Sequence, residues 1–389
     1  MSEVPTGPPI PYCRQTLGEA ETRAILEVLE SGWIARGPKS REFEARCAER
    51  LQASHAVSCA NGSAALEIAL RGLGIGPGDE VIVPTLTWVA TAMAVRLVGA
   101  TPVFADVDPV THNLTPESAR ARWSDRTRAV IAVDMAGVPC PAHALRALAE
   151  ERSAFLIQDA AHSFGAAWSD GTPVGSDGPA HATTFSFHPA KTITTGEGGL
   201  VTTADPELAD RLRRIRSGGI TRDFSESRGA YDYLATDIGS NYHLTELQAA
   251  LGLAQLDRLD DLLERRRRAA ARLLEELRPL EGLLLPKHPS GSSWNLFIVE
   301  IPDADGERRD RVLGLLRERG VHAHVHYPLL HRQPVFGFDG DESGFEHADR
   351  YFRGALTLPL FADIEPHQIA RVARALEEVL ELTVPTPTA

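Results

Sequence analysis

Ser186-Phe187-His188-Pro189-Ala190-Lys191-Thr192-Ile193-Thr194-Thr195-Gly196-Glu197-Gly198-Gly199 sets one lysine between an apolar, β-type run (Ala182 to Phe187) and a Thr/Gly-rich turn. A lysine in that setting is held close to a bound group and partly stripped of water. Desolvation disfavours the ammonium form, which suits an amine that must act as a nucleophile. Most lysines are solvated surface groups. The flanks of Lys191 are apolar and Gly-rich, unlike a charged helix face.

Upstream, Leu156-Ile157-Gln158-Asp159-Ala160-Ala161-His162 is an apolar strand that ends in an aspartate. A carboxylate and an amine at the ends of two buried strands suit a cofactor with a cationic ring nitrogen and an aldehyde. Pyridoxal phosphate (PLP) has that chemistry, and its enzymes pair a Schiff-base lysine with a partner for the pyridinium nitrogen. Asp159 would keep that nitrogen protonated; the plainer role for an aspartate here is a helix N-cap. His162 would lie over or beside the ring, or serve as a satisfied structural histidine.

Around these two segments, short apolar runs alternate with helical patterns. Strands are expected at His55–Cys59, Glu80–Val83, Pro102–Ala105, Ala129–Asp134, Ala154–Gln158, Thr183–Phe187 and Gly199–Thr203. Helices are expected at Ser63–Gly72, Trp88–Val98, Pro141–Arg152 and Pro206–Arg216. Repeated β-α units predict an α/β fold: a mainly parallel seven-stranded sheet with helices on both faces. Ligands then bind where strands end at their carboxyl edge. A long helix is expected from Thr245 to Leu277, with Arg265-Arg266-Arg267-Arg268 as a solvated face. Beyond Pro286 a smaller α/β segment follows, with strands at Trp294–Ile301 and Val321–His326 and helices at Glu307–Arg319 and Pro366–Glu381. The Pro/Thr-rich tail from Thr383 to Ala389 is expected to be disordered. The expected division is an N-terminal arm with a large cofactor domain over residues 1–255, then a connecting helix and small domain over 256–389.

The chain has 389 residues and a formal net charge of −13. That balance argues against a general nucleic-acid binder, which needs a basic footprint. Four scattered cysteines (Cys13, Cys47, Cys59, Cys140) lack a C-x-x-C and read as reduced thiols, with no disulfide framework or metal site. No apolar run reaches the length of a membrane span, and the first residues lack a signal-peptide pattern. A cytoplasmic protein without a membrane partner is expected.

Three further segments carry candidate contacts. Asn61-Gly62-Ser63-Ala64-Ala65 follows a strand and opens a helix, and helix N-termini bind phosphate through free N–H groups. Gly62 would let the backbone approach the phosphate, and Ser63 would cap the helix or donate its hydroxyl. Trp88, just past a strand, would stack on a flat ring; alternatively it is a core residue. Ser186 would give its hydroxyl to the phosphate, or to the backbone.

Taken together, these motifs resemble the DegT/DnrJ/StrS family of PLP-dependent sugar aminotransferases, within the fold-type-I superfamily. The resemblance also rests on Ser31-Gly32-Trp33, Gly37-Pro38-Lys39, Gly76-Pro77-Gly78-Asp79-Glu80, Gly239-Ser240-Asn241-Tyr242, Gln248-Ala249-Ala250 and His326-Tyr327-Pro328. It implies that Lys191 forms the Schiff base and Asp159 contacts the ring nitrogen. By the same resemblance, Trp88 stacks on the ring, while Ser63, the Ala64 N–H and Ser186 hold the phosphate. Asn241 would reach the cofactor phosphate of a second copy, making a homodimer with shared active sites, and His326 would approach the sugar nucleotide. L-glutamate is the implied amino donor and a nucleotide-linked keto-sugar the acceptor. The His162 form of its motif, with Gly196-Glu197-Gly198-Gly199, resembles the C4-acting branch, with dTDP-4-keto-6-deoxy-D-glucose as the favoured acceptor. A C3-aminotransferase, an aminocyclitol enzyme and a non-catalytic PLP-binding regulator are the alternatives; Lys191 and Asp159 argue against the last. Two positions depart from the family: Gly218 replaces a common His, and His243 a common Arg.

Overall fold

The computed structural model describes residues 7–221, 233–302 and 304–383. Its elements run α1 (Glu19–Ser31), α2 (Pro38–Leu51), β1 (His55–Cys59), α3 (Gly62–Gly72), β2 (Glu80–Pro84), α4 (Ala90–Leu97), β3 (Thr101–Ala105) and α5 (Pro116–Arg120). They continue with β4 (Thr127–Val133), α6 (Ala142–Glu151), β5 (Phe155–Asp159), β6 (Ala182–Ser186), β7 (Gly199–Thr203), α7 (Pro206–Arg216), β8 (Ile220–Thr221) and β9 (Leu234–Ala235). The last are α8 (Glu246–Asp257), α9 (Leu259–Leu277), β10 (Phe297–Glu300), α10 (Glu307–Glu318), α11 (Glu346–Gly354), β11 (Ala355–Leu358) and α12 (Pro366–Leu382).

Seven strands form one sheet in the order β1-β7-β6-β5-β4-β2-β3. Every pairing is parallel except those of β7, which runs antiparallel to both β1 and β6. Runs such as Val81-Ile82-Val83 are fully buried, as sheet strands covered by helices on both faces must be. Two reversals cancel, so β1 points the same way as β6. The carboxyl ends of β1, β2, β4, β5 and β6 therefore share one edge. Across it Cys59 pairs with Gly199, Gly199 with Ser186, and Asp159 with both Thr184 and Val133.

The C-terminal part builds its own core, with Phe297, Val299, Leu356 and Leu358 of the β10–β11 ladder against α10, α12 and the second half of α9. A further apolar cluster joins it to the strand-end edge: Leu86, Met135 and Ala136 meet Leu296, Tyr327 and Tyr351. The site lies along that junction.

The expected helix Thr245–Leu277 is two helices, broken at Arg258 (φ −104°, ψ 1°). The break lets Leu259 to Leu263 stay on the sheet-side core while Ala269 to Leu277 enter the C-terminal one. The arginine run is also not a uniformly solvated face. Arg266 is buried, and its Nη1 donates to the carbonyls of Trp294, Asn295 and Leu360. Expected strand Val321–His326 is reduced to single bridges, Ile10 with Val321 and His324 with Thr357. Strand Trp294–Ile301 starts only at Phe297, because Trp294 has a left-handed φ of 53° that cannot continue an extended run. Helices α1, α2, α5 and α11 and strands β8, β9 and β11 had no sequence-based expectation. Of the tail, Thr383 is buried and its hydroxyl donates to the Val379 carbonyl; residues 384–389 lie outside the described residues.

Candidate active site

A cavity of about 620 Å³ opens over the shared strand ends. Lys191, Asp159, His162, Gly62, Ser63, Trp88, Ser186 and His326 all line it. Residues from five strand ends and two C-terminal loops thus converge on one space.

Asp159, the last residue of β5, is buried. Its Oδ2 accepts a hydrogen bond from the Thr91 hydroxyl at 2.9 Å, and its Oδ1 one from the Ala161 N–H at 3.2 Å. Burial raises its pKa, while those two donors and the Lys191 charge pull the other way. Asp159 is therefore not a cap of a following helix; it presents a fixed carboxylate to the cavity.

Lys191 forms no salt bridge among the described residues, so its amine is left free. Its pKa is lowered to about 8, mainly by burial, with Asp159, Cys13 and Glu197 opposing. An amine tuned toward neutrality is what a proton-moving lysine needs. His162 is buried, and its Nε2 lies 3.0 Å from the Tyr327 hydroxyl while Nδ1 has no partner. Burial holds its pKa well below that of a free imidazole, with Lys191 and His326 adding repulsion. His326 is held through Nδ1 by the Thr357 hydroxyl at 2.8 Å, and burial lowers its pKa to about 3.

At the other end, α3 starts directly after β1. Its cap is Asn61, whose Oδ1 accepts from the Ala64 N–H at 2.8 Å. The expectation that Ser63 caps the helix is thereby corrected, and the Ala64 N–H is already engaged. The N–H groups of Gly62 and Ser63 have no acceptor among the described residues. A Cβ on Gly62 would lie 2.8 Å from Ser186 Cβ and 3.1 Å from its Oγ. Only glycine keeps this space open between the helix end and Ser186. Two free N–H groups, two hydroxyls and a positive dipole end fit a phosphate. With Asp159 for a ring nitrogen and Lys191 for an aldehyde, the residues present fit PLP.

Trp88 is 58% exposed, its ring 5.7 Å from that of Tyr327. Asn241 is exposed and does not line the cavity of its own chain. Gly218 has a φ of 82°, a backbone conformation that accounts for glycine there. His243 sits beside Arg216 and Arg36; burial first, then both charges, lower its pKa.

Several cavity residues had no assigned role in the sequence. Thr91 and Tyr327 hold Asp159 and His162, and Tyr12, Glu197 and Asn295 also line the space. Tyr327 stands within a quoted motif and could have been singled out there; nothing local marks Thr91 or Asn295. Beneath the site, Asp134 accepts from Gln158, Ser163 and the Cys140 N–H, and its burial raises its pKa to about 6.

Among the described residues no helix is long and apolar enough to cross a membrane. The DegT/DnrJ/EryC1/StrS aminotransferase family model matches residues 15–377. The chain is 36% identical over 381 residues to the spore coat polysaccharide biosynthesis protein SpsC of Bacillus subtilis (strain 168), covering 96% of this chain and 97% of that protein. Among solved structures, S. venezuelae DesV is 35% identical with a TM-score of 0.84, covering 96% of this chain and 98% of that one. Streptococcus pneumoniae Spr1654, in its PLP form, is 29% identical with a TM-score of 0.90, covering 97% and 100%.

Proposed function

Because the chain belongs to the DegT/DnrJ/EryC1/StrS aminotransferase family and is a PLP-dependent sugar aminotransferase, we propose that it moves the amino group of L-glutamate to C4 of a nucleotide-linked 4-keto-6-deoxyhexose. The named acceptor is dTDP-4-keto-6-deoxy-D-glucose. One observation carries the reading: a lysine with a pKa near 8 and no salt bridge shares its cavity with a buried, doubly hydrogen-bonded aspartate. The choice of C4 is supported by the resemblance of the His162 and Gly196-Glu197-Gly198-Gly199 motifs to the C4-acting branch.

When bound, PLP supplies the aldehyde that takes up the amino group and the ring that withdraws electrons. The Gly62 and Ser63 N–H groups and the Ser63 and Ser186 hydroxyls hold its phosphate. Asp159, fixed by Thr91 and Ala161, keeps a proton on the ring nitrogen. Trp88 covers the ring. The Lys191 amine would take the proton from the donor's α-carbon and deliver it to the cofactor's aldehyde carbon. Water would then release the donor as 2-oxoglutarate; at the acceptor, whose keto oxygen departs as water, Lys191 would move a proton in the reverse sense and the sugar would leave as an amine. Neutral His162 and His326 flank the acceptor without adding charge.

Asn241, exposed and outside its own cavity, serves the cofactor phosphate of a second copy in a homodimer. Residues 1–255 act as the cofactor domain and 256–389 as the smaller one.

The test is the visible absorbance of the purified holoenzyme. L-glutamate bleaches the cofactor band, and dTDP-4-keto-6-deoxy-D-glucose restores it with nitrogen on C4 of the product. A band that bleaches and does not return removes this acceptor; nitrogen on C3 removes the regiochemistry.

A further inference from the structure

Asn295 is 3% exposed and lines the cavity, yet neither its Nδ2 nor its Oδ1 has a hydrogen-bond partner. No other described side chain has two separate polar atoms buried and unpartnered. Burying an amide without partners is costly, and native structures leave few such groups unexplained.

The backbone that carries it is held in place at some expense. Trp294, immediately before, has a left-handed φ of 53°, and Ala136, opposite, one of 57°. Such conformations persist where the surroundings over-determine them, commonly at ligand sites. Here the surroundings are specific. Ser293 N–H donates to Gly137 O, and the Leu296 N–H to Ala136 O. The Ser293 hydroxyl donates to His162 O at 2.6 Å. Arg266 Nη1 clamps the carbonyls of Trp294 and Asn295 at 3.3 and 3.2 Å. A Cβ on Gly137 would lie 3.0 Å from His162 O and 3.1 Å from Asn295 N, so Asn295 and His162 flank the same point. Asn295 is thus anchored beside the His162 wall, in a segment apart from the Gly62–Ser186 phosphate end.

We propose that Asn295 is a specificity-determining residue that reads hydroxyl groups of the sugar acceptor, its Oδ1 accepting from one hydroxyl and its Nδ2 donating to another. This rests on the keto-sugar reading above. The chemistry selects among ligands that enter the cavity. A carboxylate only accepts, so it would satisfy Nδ2 and leave Oδ1 facing negative charge. A hydroxyl both donates and accepts, so neighbouring hydroxyls satisfy the whole amide. A site built to bond a substrate hydroxyl rejects the analogue that lacks it, because its own polar groups are then stranded.

The experiment compares wild-type holoenzyme with Asn295→Leu, nearly isosteric but without hydrogen bonds, in separate half-reactions. Acceptors are the keto-sugar nucleotide and analogues in which one ring hydroxyl is replaced by hydrogen. The variant should lose about tenfold in kcat/KM for the keto-sugar, while its glutamate half-reaction stays within about twofold. Wild type should discriminate against one deoxy analogue, and the variant should not. Asn295→Ala removes the same groups without apolar bulk and should give the same split if the Leu variant fails to bind PLP. Unchanged sugar kinetics, or equal losses in both half-reactions, would overturn the role of Asn295 alone. A wild-type enzyme that reacts with glutamate and no keto-sugar would overturn the acceptor reading and this role with it.

Discussion

The Nε2 of His162 lies 3.0 Å from the hydroxyl of Tyr327, joining the loop after β5 to a C-terminal segment across the cavity. The rings are nearly parallel, 23° apart with centroids 6.1 Å apart. Since Nδ1 of His162 has no partner, this bond is the one that orients the imidazole. Burial also raises the Tyr327 pKa, so the hydroxyl keeps its proton.

Tyr327→Phe leaves both nitrogens of a buried imidazole unpartnered. Stranding a buried polar group costs about 1–3 kcal/mol. Urea unfolding of the variant should show a loss in that range, with kcat reduced more than glutamate KM. Wild-type stability and kcat would remove the orienting role.

Burial lowers the Lys191 pKa to about 8 in the cofactor-free chain. Its neutral amine is scarce below that pH and dominant above it. The rate at which cofactor-free protein captures PLP should rise about tenfold per pH unit below the midpoint and level off above it. Asp159 raises this pKa, so Asp159→Asn should move the midpoint below 8. Stopped-flow absorbance across pH 6 to 10 reads both curves, and an upward move would contradict the sign.

Lys191→Ala removes the amine that binds and moves protons while leaving the packing around it largely in place. Transamination should fall by about 10²–10⁴-fold or more, with the circular dichroism spectrum unchanged. A variant that retains wild-type turnover would end the assignment of Lys191.

Gly62→Ala pushes a methyl group to 2.8 Å from Ser186 Cβ. Overpacking of this kind costs about 1–3 kcal/mol, here drawn from the phosphate end of the cavity. PLP affinity, measured by titration of the cofactor-free protein, should weaken about tenfold or more. The fold should remain, because the clash lies at a helix end open to the cavity.

Arg216 is 1% exposed; its Nη1 donates to Glu44 Oε1 at 2.5 Å and to Ser58 O at 2.9 Å. Glu44 also accepts from the Ser58 N–H and hydroxyl. Arg216→Met would leave the mostly buried Glu44 charge without its cation. Breaking such a pair costs about 3–5 kcal/mol, so the denaturation midpoint should fall sharply. Arg216→Met with Glu44→Leu should recover part of the loss.

Much of this was legible in the chain. Runs such as Val81-Ile82-Val83 and Leu156-Ile157 are continuous apolar segments because both faces of the sheet are covered, and their ends fall within a residue or two of expectation. Helix α7, with Asp205 as cap and Pro206 at its first position, begins where those residues say it should. The C-terminal part was less legible. Trp294 reads as a strand residue by type, but Arg266 and Ser293 hold the segment in another shape. Arg266 itself sits in a run of four arginines, where nothing local says that one of them turns inward.

The cofactor chemistry followed from the sequence alone, because Asp159 ends a strand and Gly62 and Lys191 follow strands within five residues, each strand's pattern is local, and the sheet brings such ends to one edge. Which polar groups are held and which are left open was decided only by tertiary structure. His162 meets Tyr327 across 165 positions of chain, and Thr91 meets Asp159 across 68. Asn295 has an unpartnered side-chain amide on a backbone whose carbonyl is clamped by Arg266 of a different helix. Hydrogen-bond satisfaction depends on which atoms the packed core brings within about 3 Å, and no local pattern of residues encodes that distance.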